Sequence, residues 1–129
     1  MTYHLSNYAS LLRDRINRMY PGRDKASDGW IGDAAHSARK SDHNPDTDGV
    51  VRAIDIDADL KPGEKGKVSA YRLADTIRHE AIIGKQPVSY IIFAGRIASA
   101  RAGWKWRKYN GLNPHNHHIH ISFRKALGE

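Results

Sequence analysis

Apolar residues along the chain fall into two periods that alternate. In "LSNYASLLRDRINRMYPG", Leu5, Tyr8, Leu11, Leu12, Ile16 and Met19 recur at three- and four-residue steps, and Pro21-Gly22 supplies the stop. That spacing predicts an amphipathic first helix. From Arg23 to Asp48 neither period is clear, and Trp30 and Ile31 are the residues expected to pin this long polar segment to the core. "GVVRAIDIDAD" then alternates, with Val51, Ala53, Asp55 and Asp57 pointing one way and Arg52, Ile54 and Ile56 the other. This is a strand that carries carboxylates on one face. "VSAYRLADTIRHEAII" returns to the helical period, with Tyr71, Ala74, Ile77 and Ala81 on one stripe and Leu73 beside it. "VSYIIFAGRIASA" reads as a hairpin with Ala94-Gly95 near its turn. Finally "HHIHISF" alternates again, Ile119, Ile121 and Phe123 on one side and His118, His120 and Ser122 on the other.

The order helix, loop, strand, helix, hairpin, strand predicts an α+β fold, a small antiparallel sheet with helices packed on one face. A length of 129 residues accommodates one such domain, 1–129, and not two. The absence of cysteine excludes disulfides, thiolate metal sites and cysteine nucleophiles, so any metal must sit on His, Asp or Glu. The first twenty residues carry charges every few positions and no apolar run of signal-peptide type. A net charge of +7 favours a polyanionic partner, either nucleic acid or an anionic cell wall. Trp104, Trp106 and Tyr109 interleave with Arg101, Lys105, Arg107 and Lys108, a pattern that suits stacking on bases or sugars and equally suits a solvated loop with aromatic anchors.

Three segments hold metal-competent side chains: "SDHN" at 41–44, "AIDID" at 53–57 and "HNHHIH" at 115–120. Zinc without thiolates needs three or four nitrogen and oxygen ligands, and a catalytic zinc uses three of them from the protein. His43, one aspartate of the strand and one histidine of the last strand make such a set. A calcium reading competes for the same region, because Asn44, Asp46, Asp48, Gly49 and Asp55 follow EF-hand spacing. The exit from that loop is β-branched and alternating, however, where an EF-hand requires a helix.

Ser41-Asp42-His43, Ala53-Ile54-Asp55 and His118-Ile119-His120, in that order, resemble the zinc peptidases of the LAS superfamily, named for lysostaphin, D-Ala-D-Ala peptidases and Sonic hedgehog. "GDAAHSARKSDHNPDTDGVVRAIDID" with "NPHNHHIHIS" is similar to the peptidase module of endolysins from phages of actinobacteria. The resemblance spans roughly residues 30–123. It implies zinc held by His43, Asp55 and His120, on the sheet face opposite the helices. It also implies that His118 orients the attacking water, takes its proton or stabilises the oxyanion, that His115 is a further active-site histidine, and that Asp57 stands behind the metal or faces solvent. Two departures are visible. Eleven residues separate His43 from Asp55, more than in many D-Ala-D-Ala peptidases, and His117 occupies the position at which those enzymes carry a glutamate base. The base therefore lies among His118, His115 and His117.

The function this resemblance implies is hydrolysis of amide bonds in peptidoglycan stem peptides or cross-links. Peptidoglycan is the expected partner, rather than nucleic acid or a membrane, and the protein is expected to act as a monomer. Trp104, Trp106 and Tyr109 would line the groove, and Arg39, Arg52, Arg96 and Arg101 are the candidate carboxylate anchors, with Arg39 preferred. An endolysin of this kind would collect in the host cytoplasm until a holin releases it to the wall. Two rivals come from other classes: a His-metal nuclease with Arg and Lys on phosphate, and a catalytically inactive wall-binding module that keeps its zinc.

Overall fold

A computed structural model of the chain describes residues 3–30, 45–46 and 48–126. Two strands, β1 (His4–Leu5) and β2 (Val50–Val51), pair in parallel, with His4 opposite Val50 and Leu5 opposite Val51. Between them in the chain comes α1 (Asn7–Met19). The Ser6 hydroxyl caps it by accepting from the Ala9 N–H, and the Tyr20 N–H closes it on the Ile16 carbonyl. The second helix, α2 (Val68–Ile82), lacks a cap from its own preceding residue. Glu64 substitutes, its carboxylate accepting from both the N–H and the hydroxyl of Ser69.

The sheet has five strands: β3 (Ala53–Asp57), β4 (Val88–Phe93), β5 (Arg96–Ser99), β6 (Arg107–Lys108) and β7 (His118–Phe123). They lie in the order β3-β7-β4-β5-β6, and every pairing is antiparallel. The last strand in sequence is therefore inserted between β3 and β4, which makes the histidine-bearing strand a neighbour of the aspartate-bearing one. Ala94 and Gly95, both at positive φ (53° and 77°), form the two-residue turn between β4 and β5. That is the turn geometry a right-twisted hairpin favours.

One cluster of buried side chains holds these elements together. It joins Ala9, Leu12 and Ile16 of α1 and Ala70, Leu73, Ala74 and Ile77 of α2 to Ile54, Ile56, Ile91, Phe93, Ile119, Ile121 and Phe123 of the sheet. Each fully buried isoleucine or leucine contributes about 1.5–3 kcal/mol through removal from water. The expected stripe of α1 needs correcting: Tyr8, Leu11 and Met19 are exposed, Leu11 by 64%, and Ala9 completes the buried face instead. Tyr71 of α2 is likewise exposed at the surface, where its ring meets Phe93 edge-on at 4.9 Å and the Arg96 guanidinium lies 5.6 Å from its centroid. In both helices alanines and aliphatic side chains face the sheet, and the tyrosines of the expected stripes lie on the flank.

The carboxylate face of β3 is also not the solvated face that alternation alone suggests. Val51, Ala53 and Asp57 are buried, and across the ladder so are His120 and Ser122. Residues 24–30 run along the outer edge of β3. Gly29 and Asp55 exchange both backbone hydrogen bonds, at 2.8 and 3.1 Å, and the Asp28 carboxylate accepts from the Asp57 N–H at 2.7 Å. Arg23 secures this segment from beneath, its buried guanidinium making a two-pronged pair with Asp28 at 2.8 and 2.6 Å and a third bond to Asn17.

Candidate metal centre

The register of β3 against β7 places Asp55 directly opposite His120 and Asp57 opposite His118. Because successive strand residues alternate between faces, Asp55, His118, His120 and Ser122 share the side opposite Ile54, Ile119 and Ile121. Asp55 is the one residue of β3 that is not fully buried, and His118 is the one in β7. The polar cluster thus opens outward at these two side chains.

Asp55 uses both oxygens on neighbouring histidines: Oδ1 lies 3.1 Å from His120 Nδ1, and Oδ2 lies 3.6 Å from His118 Nε2. His118 Nε2 also meets His115 Nδ1 at 2.8 Å. Ligand atoms of Asp55, His115 and His118 all lie within 4.8 Å of one another, and this is the group among the described residues with the geometry to hold a metal ion. A carboxylate with imidazoles is a donor set of the borderline kind that zinc accepts. His120 stands deeper, 4% exposed, with Nε2 2.7 Å from the Ser122 hydroxyl and the Tyr90 ring stacked on it at 5.5 Å and 17°.

His115 reaches the cluster from a loop, and the hairpin turn is what delivers it. The N–H groups of Ala94 and Gly95 donate to the carbonyls of His115 and Pro114, at 3.0 and 2.9 Å. The Asn113 side chain accepts from the His115 N–H, and His115 itself adopts φ 57°, a left-handed conformation that side chains rarely take. Such strain persists where surrounding contacts over-determine it, and it is concentrated at functional sites. The Tyr109 ring lies 6.1 Å from His115 and is packed over Gly111, where a Cβ would collide with it.

The other sequence-predicted residues separate. His43 and Arg39 lie outside the described residues. His117 borders a separate cavity of about 450 Å³, lined also by Asp24, Ser27, Asp57, Asp59, Glu64 and Lys67. Asp57 is neither exposed nor turned to the cluster. Its carboxylate accepts from the N–H and hydroxyl of Ser27 and from the Asp59 N–H. Burial pushes its pKa upward, but those three hydrogen bonds and the nearby Arg23 charge outweigh it and hold Asp57 below the ordinary aspartate value.

Trp104 and Trp106 are tied to α2 rather than to the histidines. The Trp106 indole donates to Asp75, the Arg78 guanidinium donates to the Trp104 carbonyl, and Arg96 stacks over the Trp106 ring at 5.0 Å. Arg52 pairs with Asp46 at 3.1 Å, and Arg101 is exposed. Asp46 occupies the middle of the calcium-like spacing, and its oxygens are already taken by the N–H groups of Asp48 and Val50 and by Arg52. The chain leaves that turn into strands, not into a helix. Asp46 is a turn-former here, and Asp55 belongs to the histidine cluster.

Ser122, His120 and Asp55 reproduce the linear order of a nucleophile, base and orienting carboxylate. Ser122 is nevertheless 0% exposed, so no substrate carbonyl reaches its Oγ, and the line is not a serine-hydrolase triad. The chemistry available at the surface is that of Asp55, His115 and His118. No protein-family model, curated protein or solved structure matches the chain. No helix among the described residues is long and apolar enough to cross a membrane.

Proposed function

We propose that the chain is a zinc peptidase of the LAS type that hydrolyses amide bonds in peptidoglycan stem peptides or cross-links. The observation that carries this reading is the meeting of Asp55 with His115, His118 and His120, brought from two strands and a loop to one opening in an otherwise buried face. The helices and the apolar core then occupy one side of the sheet and the metal the other. Zinc would be held by His43, Asp55 and His120. The deep, doubly anchored His120 suits a ligand, since metal-binding histidines usually engage a partner through their second nitrogen. The partly exposed pair His118 and His115 suits proton handling.

Zinc would supply Lewis acidity toward the scissile carbonyl and make water acidic enough to attack near neutral pH. The His115–His118 pair, partly exposed at the edge of the cluster, takes up a proton during attack and returns it to the leaving amine. His115 Nδ1 steadies His118 Nε2 by sharing one hydrogen across their 2.8 Å contact, so the added proton goes to an outer nitrogen of the pair, His118 Nδ1 or His115 Nε2. Asp55 Oδ2 lies 3.6 Å from His118 Nε2. The net charge of +7 is suited to an anionic wall, and Arg39 remains the proposed anchor for a substrate carboxylate.

A nuclease of the His-metal type would continue from its metal-bearing strand into a helix, but residues 124–126 after β7 are not helical. The deciding experiment combines metal analysis with digestion of purified actinobacterial peptidoglycan, following new amino groups and fragment masses with and without a chelator. About one zinc per chain and chelator-sensitive release of peptides is the expected result. Stoichiometric zinc without cleavage would replace the peptidase by a wall-binding module, and a protein that binds no zinc would end the reading altogether.

A further inference from the structure

Ser122 is the innermost polar group of the cluster, wholly buried on β7 with Oγ 2.7 Å from His120 Nε2. Its backbone is fixed as well, because the Ser89 hydroxyl donates to the Ser122 carbonyl at 3.1 Å, beside the irregularity in the β4–β7 pairing between Val88 and Tyr90. A neutral imidazole has one hydrogen for two nitrogens, so the partner of each nitrogen decides where it sits. A carboxylate only accepts, and the metal-free pair is taken as carboxylate and neutral ring. Nδ1 of His120 therefore carries the hydrogen and donates to Oδ1, and the bare Nε2 accepts from the Ser122 hydroxyl.

A ligand role for His120 reverses both ends. The nitrogen that faces Asp55 must then present its lone pair, the hydrogen sits on Nε2, and Ser122 Oγ has to accept it. The ring remains neutral throughout: the Nδ1 proton passes to solvent water as the metal takes its place, water returns one proton to Nε2, and the serine ends with one hydrogen as it began, rotated about its C–O bond. A hydroxyl is the short side-chain group able to donate in one state and accept in the other from a fixed position. Alanine offers neither, and would bury an unpaired N–H in the metal-bound form.

We propose that Ser122 is a positioning residue that lets His120 exchange tautomers in place, its ring held by Tyr90 stacking, so that metal binds without reorganisation of β7. This rests on the reading of His120 as a metal ligand. The test compares the wild-type chain with Ser122→Ala and Ser122→Thr, using zinc alone as probe. Zinc affinity is measured by competition with a chromophoric chelator, and the His120 tautomer by long-range proton–nitrogen NMR before and after zinc, with circular dichroism as the check on folding.

In the wild type the Nδ1–H form is expected without zinc and the Nε2–H form with it. Ser122→Ala should bind zinc about 10–100-fold more weakly, and Ser122→Thr, which keeps the hydroxyl, should recover most of that loss. A wild type already in the Nε2–H form without zinc overturns the proposal, even if the alanine variant fails to fold. So does a folded Ser122→Ala with wild-type affinity. A wild type that takes up no zinc overturns instead the assignment of His120 as a ligand.

Discussion

His120 and Asp55 stand directly opposite one another on antiparallel strands, and their side chains meet, Nδ1 to Oδ1, at 3.1 Å. Neither residue can move without its strand, since β7 is paired on both sides and β3 is paired with β7 and with Gly29. A site built on such a pair is rigid before any ligand arrives. The first prediction concerns which histidines belong to the metal. His120→Ala and Asp55→Ala should each lose bound zinc, and His115→Ala should keep it, as read by metal analysis after dialysis. Zinc kept by His120→Ala and lost by His115→Ala, with Asp55→Ala losing it in either case, would move the metal to Asp55, His115 and His118, the three whose ligand atoms converge within 4.8 Å.

His118→Ala should retain zinc and the folded state while peptide release from peptidoglycan falls about 10²- to 10⁴-fold, the usual worth of a positioned proton-transfer group. Turnover followed by new amino groups checks this. Activity within a few-fold of wild type would remove His118 from the chemistry and direct attention to His115.

Asp57 makes a claim about stability and acid. Its folded-state pKa is held below the ordinary value of 3.8, so its contribution is fully present above that value and is lost as the pH falls through the lower, folded one. Asp57→Ala should cost about 1–3 kcal/mol at neutral pH, because the Ser27 and Asp59 N–H groups lose their buried acceptor. Urea unfolding at pH 7 and at pH 2.5 should show the gap between wild type and variant narrowing in acid. A gap that is constant with pH would show that the ionised carboxylate is not what ties residues 24–30 to β3.

Trp106→Phe probes the aromatic segment. The indole N–H is the main cause holding the Asp75 pKa below its ordinary value, with Arg78 next and burial opposing both. The variant should raise the Asp75 pKa toward normal in a carboxyl NMR titration and leave zinc binding unchanged. If the peptidase assay shows a raised KM instead, with Asp75 titrating as before, Trp106 faces substrate and not α2.

Much of the architecture was legible in the order of residues, because strand and helix periods are local. Alternation in residues 53–57 and 118–123 placed Asp55, His118 and His120 on faces opposite the isoleucines, and the Ala94-Gly95 turn was marked by its own sequence. The faces of the two helices were less so: Tyr8, Leu11 and Tyr71 fit the apolar stripes but lie exposed, because which flank meets the sheet is a matter of packing distance. Composition likewise singled out Trp104 and Trp106 without saying that α2 holds them.

The sequence by itself determined which residues are of a type able to hold a metal or move a proton and which side of each strand they take, since both follow from side-chain type and a period of two. Only the tertiary structure decided that β7 is inserted beside β3, that the hairpin turn swings His115 onto His118, and that Ser122 and Asp57 are buried partners. Those facts depend on pairings between residues up to ninety positions apart, such as Ser27 with the His117 carbonyl, and no local pattern encodes them.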